Sequence, residues 1–398
     1  MKILHCSDIH LGKKPFGTKE FSQKRYKDFF DAFNKMVNIA IERKVEVFIV
    51  AGDLFDKKEI TPDILNRSEE IFRKLKENNI HTIITEGNHD NISNDDEINS
   101  WQNYLEEKDY VQRGSYKIID GEYQFKKIKI KDVNFYGLGY PGFAIDNVLE
   151  ELGKILSKNE KNYIIVHTAI SGSDFLPGLV NPDTLGNIQE KVIYIAGGHL
   201  HSHSVFPAKD PFFFVPGSLE YWDIKNDKGQ KKGGIIFDSE TKNREFVEIS
   251  PRERIITDFY MVKGGEDEYL LKFEEFAKNL NLDGEQLVIV NIICDHNEYI
   301  NTVSFEKILE SNGALKAFVN IKQKKKNGNI QEDDKNITYS IKEMEKNIIE
   351  SWNFFKNSHR IADYLEEYKN IQEEKDRGED FLLLFDKMLE EELADESK

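Results

Sequence analysis

The residues able to do chemistry stand where apolar runs end. "KILHC" leads into "SDIH", setting Asp8 and His10 two positions apart, and "VEVFIVAG" leads into "GDLFD", with Asp53 and Asp56. "HTIITEG" ends in "GNHD", with Asn88, His89 and Asp90. "NYIIVH" supplies His167, and "VIYIAGG" opens into "HLHSH", with His199, His201 and His203 at alternate positions. Five of the ten histidines, His10, His89, His167, His199 and His201, stand directly at these ends, which is more than idle surface imidazoles would do. Oxygen donors mixed with imidazoles, and no thiolate, suit Mn²⁺, Fe²⁺ or Zn²⁺ rather than a zinc-finger cage. The donors outnumber what one ion takes. With a bridging carboxylate they satisfy two ions about 3.5–4 Å apart, an arrangement that clamps the attacking and leaving oxygens of phosphoryl transfer. An isolated Asp-x-His or "GNHD" carries little weight, but five pieces in order, each behind an apolar run, make chance a poor account.

Such groups meet only if the elements that carry them end side by side. Up to about residue 250, short apolar runs alternate with longer amphipathic stretches, an α/β pattern. In open α/β sheets, ligands bind at the carboxyl ends of the strands. Between the first two strands, Phe29, Phe33, Val37 and Ile41 share one face of a helix. A second helix begins with Thr61 as N-cap and Pro62 at the first helical position. Gly52, Gly87, Gly197 and Gly198 permit the sharp turns. Beyond about 205, "PFFFVPGSLEYW", "GGIIFD" and "EFVEIS" suggest antiparallel strands.

The chain divides into 1–252, a smaller α/β unit over 253–323, a polar linker over 324–337, and two amphipathic helices within 338–398. The last helix carries Phe381, Leu382, Leu384, Phe385, Met388 and Leu389 on a short segment, a face to be buried on its neighbour, on the catalytic domain or on another protein. No run among the 398 residues approaches the ~20 apolar positions of a membrane span. The start lacks the apolar core of a secretory signal. Only Cys6 and Cys294 are present, so no disulfide framework is expected and a reducing cytoplasm is the expected setting. A net charge of −17 excludes coating nucleic acid by bulk electrostatics, although bound cations reverse the local sign of an acidic cleft. Lys13, Lys14, Lys19 and the run "KQKKK" offer local positive ground.

Taken together, the motifs resemble those of the calcineurin-like metallophosphoesterases, matched here by Asp8 and His10, Gly52 to Asp56, Gly87 to Asp90, His167, and Gly198 to His201. The resemblance implies a sandwich of two β-sheets flanked by helices, with a smaller capping domain and a C-terminal helical pair. It implies one metal on Asp8, His10, Asp53 and His201, and a second, bridged by Asp53, on Asn88, His167 and His199. His89 would then donate a proton to the leaving oxygen or steady the charged transition state, with Asp90 a candidate to orient it. His203 has no place in that scheme.

"ILHCSDIHLGK", "HTAISG", "AGGHLHSH" and especially "VPGSLEYWD" narrow the likeness to the SbcD and meiotic-recombination-eleven nucleases of double-strand-break repair. This implies a Mn²⁺-dependent 3′–5′ exonuclease and single-strand endonuclease acting on DNA. It also implies a cap that helps distort DNA, C-terminal helices that grip an SbcC-type coiled-coil ABC ATPase, and a homodimer, for which Phe72 and Leu75 are candidates. Asp56 stands where archaeal relatives often have histidine, so a second catalytic imidazole is not expected. Two other readings remain open from sequence: a phosphodiesterase or phosphatase for small phosphate compounds, and a DNA-binding scaffold with a vestigial metal site.

Overall fold

Val47–Ala51 is apolar and buried at every position, as a strand covered on both faces must be. It lies in a six-stranded sheet of order Asn243–Ile249, Lys232–Asp238, Lys2–Cys6, Val47–Ala51, His81–Thr85, Gln112–Arg113. The last four run parallel, while Lys232–Asp238 and Asn243–Ile249 add antiparallel. The computed structural model describes residues 1–90, 100–171, 178–227, 231–261, 266–294 and 301–323.

A second six-stranded sheet has the order Ser204–Phe206, Phe213–Val215, Tyr194–Ala196, Lys161–Val166, Val133–Gly139, Lys127–Ile130. Of the runs beyond 205 expected to pair antiparallel, Lys232–Asp238 and Asn243–Ile249 do so in the first sheet, whereas Phe213–Val215 is antiparallel to Ser204–Phe206 but parallel to Tyr194–Ala196. Side chains alternate across each strand. Ile3, Val47, Ile49, Ile83, Phe135, Tyr163, Ile165, Tyr194 and Phe214 therefore fill one apolar layer, in which Tyr194 stacks on Phe214 at 4.5 Å between centroids. The two sheets pack face to face through that layer, with a helical layer outside each, the architecture the family likeness implies.

Outside the first sheet lie helices Lys19–Glu42 and Pro62–Glu77. Thr61 caps the second by accepting from the Ile64 amide, with Pro62 in the first turn. Phe33 meets Phe48 and Phe72 edge-on at 6.0 and 5.5 Å. Burying each such ring contributes about 1.5–3 kcal/mol. Phe72 and Leu75 are fully buried in this core, so the expectation that they face a second copy is not met. Their face of the helix is already occupied by helix Lys19–Glu42 and the sheet. Helices Ile145–Ile155 and Pro182–Ile188 cover the second sheet.

Beyond residue 253, strands Arg254–Tyr260, Leu287–Cys294 and Lys316–Gln323 form a three-stranded sheet, its first two strands parallel. Helices Glu266–Asn279 and Thr302–Ser311 accompany it, with Phe273, Phe305 and Leu309 in a core of their own. Two compact units divide the chain, Met1–Ile293 with Glu298–Ile321, and Cys294–Asn297 with Lys322–Lys398. The expected linker and C-terminal helices lie outside the described residues, as does all but the start of the lysine run. Among the described residues no helix is long and apolar enough to cross a membrane.

Candidate metal centre

Strands Lys2–Cys6, Val47–Ala51, His81–Thr85, Lys161–Val166 and Tyr194–Ala196 end beside one another, and the turns that follow them interlock. The amides of Ile9 and His10 donate to the Asp53 carbonyl at 2.9 and 3.0 Å, and that of Asp8 donates to the Gly52 carbonyl at 3.2 Å. These bonds hold side chains in unusual backbone positions. Asp8, His10, Asp53 and His199 adopt φ of 52°, 53°, 51° and 77°. Left-handed geometry outside glycine costs of order 1–3 kcal/mol per residue and persists only where surroundings impose it. Two glycines are dictated by close approach. A Cβ on Gly87 would stand 2.1 Å from Asp53 Oδ1, and one on Gly198 would stand 2.4 Å from the Ala51 carbonyl oxygen.

The donor atoms converge in overlapping groups. Those of Asp8, His10 and His201 lie within 4.8 Å of one another, as do those of Asp8, Asp53 and His167, and those of His10, Asp53 and His89. Asp53 Oδ2 stands 3.3 Å from His167 Nε2 and 3.8 Å from His10 Nε2, between the two sides of the cluster. On the His10 side, the Nε2 atoms of His10 and His201 are 3.1 Å apart. On the other, Asn88 Oδ1 lies 3.0 Å from both His167 Nε2 and His199 Nδ1. Neighbouring donors around a small octahedral divalent ion stand about 3 Å apart, so these spacings are those of a coordination shell.

The hydrogen-bond pattern agrees with cations. His167 Nδ1 donates to the Ala51 carbonyl at 2.9 Å, which leaves a lone pair on Nε2 in the neutral ring, facing two more acceptors, Asp53 Oδ2 and Asn88 Oδ1. Only a proton or a metal ion reconciles three acceptors there. Buried His10 Nδ1 makes no hydrogen bond in this arrangement, but faces Asp56 Oδ1 at 3.5 Å, the position of a carboxylate that orients a metal-ligating imidazole. The residues therefore fit a pair of divalent cations.

Electrostatics point the same way. Burial pushes the Asp8 carboxyl up to about 7; His167 opposes this and the Asp53 charge adds to it. Burial also raises Asp53, but His167, His10 and the His89 amide together hold it below the usual carboxylate range. For His167 burial favours the neutral ring, and the Asp53 charge outweighs it, raising the group to about 9. Burial drives His10 well below its ordinary value and His201 down to about 3. One acid pair is thus compensated by a proton on His167 that a bound cation would displace.

The remaining candidates occupy distinct places. His89 donates its amide to Asp53 Oδ1 at 2.9 Å, and its ring Nδ1 meets the Asp56 carbonyl at 3.0 Å. That carbonyl, rather than Asp90, orients the His89 ring. Asp90 is buried and accepts from the amides of Leu54, Phe55 and Gly87 at 2.8, 3.2 and 2.7 Å and from Gln102 Nε2 at 3.0 Å, fastening two of the ligand-bearing turns together. Burial and the Asp53 charge push its carboxyl up to about 7, against the pull of the Gly87 and Phe55 amides. His203 stands apart, with Nδ1 2.8 Å from the Val215 carbonyl and its ring against Phe246. Asp56 Oδ1 accepts from Trp222 Nε1 at 2.8 Å. Trp222 and Tyr140, which lies 5.9 and 5.4 Å from the His167 and His199 rings, are not singled out by donor chemistry. Trp222 falls in the "VPGSLEYWD" segment that carries the family likeness, whereas the sequence signal at Tyr140 is an aromatic in a turn after a strand.

Residues 1–203 match the calcineurin-like phosphoesterase family. The DNA double-strand break repair protein Mre11 of Sulfolobus acidocaldarius is 25% identical over 290 residues, covering 70% of this chain and 72% of that protein. The protein of the same description from Saccharolobus solfataricus is 30% identical over 236 residues, covering 59% of this chain and 58% of that protein, less than two thirds of its length. The SbcD component of the SbcCD nuclease of Staphylococcus epidermidis is 23% identical over 352 residues, covering 77% of this chain and 90% of that protein. With the matched span reaching past the midpoint of the chain and taking in all the clustered donors, the chain belongs to the calcineurin-like phosphoesterase family and is a metal-dependent phosphodiester hydrolase.

Proposed function

We propose that this chain is a Mn²⁺-dependent DNA exo- and endonuclease, the nuclease subunit of an SbcCD-type double-strand-break repair complex. The observation that carries the chemistry is the pair of donor groups meeting at Asp53, with Asp8, His10 and His201 on one side and Asn88, His167 and His199 on the other. Two divalent cations held there would supply charge neutralisation at the phosphoryl oxygens and a more acidic water. The DNA assignment rests on likeness to relatives described as a break-repair protein and as a component of a nuclease.

The chain's own residues take separate parts. His89, with Nδ1 committed to the Asp56 carbonyl, keeps Nε2 to hold a proton and release it to the leaving oxygen. Asp90 keeps the Gly52–Asp56 and Gly87–Asp90 turns in contact and is a positioning residue. Residues 253–323 serve as the cap over the cleft. Residues 338–398 grip the ATPase, and the working form is a homodimer in the cytoplasm.

The deciding experiment compares Mn²⁺-dependent degradation of end-labelled duplex and single-stranded DNA with turnover of a panel of nucleotides and simple phosphodiesters. DNA cleavage far above any small-compound rate is expected. Faster turnover of a small compound would replace the nuclease by a phosphodiesterase. Background activity in Mn²⁺ with the ATPase partner present would leave a scaffold.

A further inference from the structure

We propose that Trp222, in the "SLEYWD" segment after the second sheet, is a positioning residue that holds the histidines of both functions, ion binding and proton delivery, in one register. The proposal rests on the two-ion nuclease reading above. The indole ring touches three site imidazoles, with centroids 5.7 Å from His10, 5.6 Å from His89 and 5.6 Å from His201. Its Nε1–H donates to Asp56 Oδ1 at 2.8 Å. Asp56 passes that restraint on, its side chain facing His10 Nδ1 at 3.5 Å and its carbonyl meeting His89 Nδ1 at 3.0 Å. Lys13 Nζ caps the ring 3.7 Å from its centroid and lies 3.5 Å from Asp56 Oδ1. A ring engaged by a cation, a carboxylate and three imidazoles is built to hold its neighbours rather than to receive a base.

Trp222 is itself held from behind. Buried Arg25 donates to the Tyr221 carbonyl at 2.7 Å and pairs with Glu220 at 3.2 Å. Lys232 donates to Ser218 Oγ at 2.9 Å. The segment is thus pinned to helix Lys19–Glu42 and strand Lys232–Asp238, and Trp222 brings that rigidity to the site. Partners one layer behind metal ligands typically change affinity or activity by about 10–100-fold when removed.

The test uses the full chain and two readouts. Mn²⁺ is paramagnetic and quenches an indole this close, so Mn²⁺ titration should quench part of the tryptophan emission saturably, in step with calorimetric binding. Trp222→Phe should abolish that saturable component although Trp101 and Trp352 remain. In kinetics, Trp222→Phe keeps a ring and loses the N–H donor; kcat should fall about ten-fold with KM for DNA within about two-fold and both ions still bound. Trp222→Ala should lower kcat further, toward about 100-fold, and weaken one ion. Parental kcat in Trp222→Phe overturns the proposal. A rise in KM alone overturns it too, since Trp222 would then be a substrate contact. So does Mn²⁺ binding without saturable quenching in the parent. A parent that neither binds Mn²⁺ nor cuts DNA instead overturns the reading of function on which this rests.

Discussion

The Nε2 atoms of His10 and His201 face each other at 3.1 Å, with Asp8 Oδ1 3.8 Å from the latter. Burial keeps both rings neutral at neutral pH, so two imidazole nitrogens and a carboxylate crowd one point with at most a single proton between the rings. A divalent cation relieves that crowding. A ligand bound only by the folded state adds about 2.7 kcal/mol at a concentration of 100 Kd. Mn²⁺ should therefore raise the melting temperature by several degrees, and a chelator should reverse the rise. Asp53→Ala, which removes the carboxylate lying between both donor groups, should abolish the rise. A parental melting curve indifferent to Mn²⁺ would remove the metal centre.

His89 contributes an amide to Asp53 and a ring anchored on Asp56, yet the two ligand groups proposed above are complete without it. Replacing His89 with Gln should leave calorimetric Mn²⁺ binding at two ions and lower DNA cleavage by about 10²–10⁴-fold, the usual worth of a positioned proton donor. Cleavage at the parental rate would show that the leaving oxygen takes its proton elsewhere. Loss of one ion would make His89 a ligand, an arrangement its proximity to His10 and Asp53 permits.

What the sequence made legible here is whatever local pattern marks. Each of "SDIH", "GDLFD", "GNHD" and "GGHLH" sits where an apolar run meets a turn, so the strand ends and their donors can be read without knowing the packing. The helix start at Thr61 and Pro62 is local in the same way. Long-range relations are not. That Asp90 bonds Leu54 and Phe55, 36 and 35 positions away, or that Trp222 bonds Asp56 from 166 positions away, depends on how two sheets bring their turns together. Phe72 and Leu75 fail as interface residues for a related reason: an amphipathic helix shows which face is apolar, not what covers it.

Asp90 should be a stability residue whose loss reaches catalysis indirectly. Removing its carboxylate strands the amides of Leu54, Phe55 and Gly87 in a buried turn. An unsatisfied buried donor costs about 1–3 kcal/mol. Asp90→Ala should thus lose several kcal/mol in urea unfolding and bind Mn²⁺ poorly, because the ligand-bearing turns come apart. Asp90→Asn keeps one acceptor oxygen and should lose less. Parental stability in Asp90→Ala would mean the turns hold without it.

His5 offers a pH signature separate from the ions. It lies fully buried between the sheets, with Nδ1 3.0 Å from Tyr194 Oη and Nε2 2.9 Å from the Gly197 carbonyl. Burial lowers its pKa from 6.5 to about 3, the Gly197 carbonyl pulling the other way. The unfolded chain therefore takes up a proton at His5 as pH falls through 6.5, while the folded chain refuses it until about 3. Stability from this group is fully present above pH 6.5 and drains away as pH falls toward 3, by an amount of order a few kcal/mol. His5→Gln can keep hydrogen bonds to both partners but does not titrate. It should be less stable than the parent at pH 7.5, yet lose less between pH 7 and 4.5, so the two curves of unfolding free energy against pH, taken with chelator present, should converge on the acid side. Curves that run parallel would mean that His5 takes up its proton equally in both states and that burial has not displaced it.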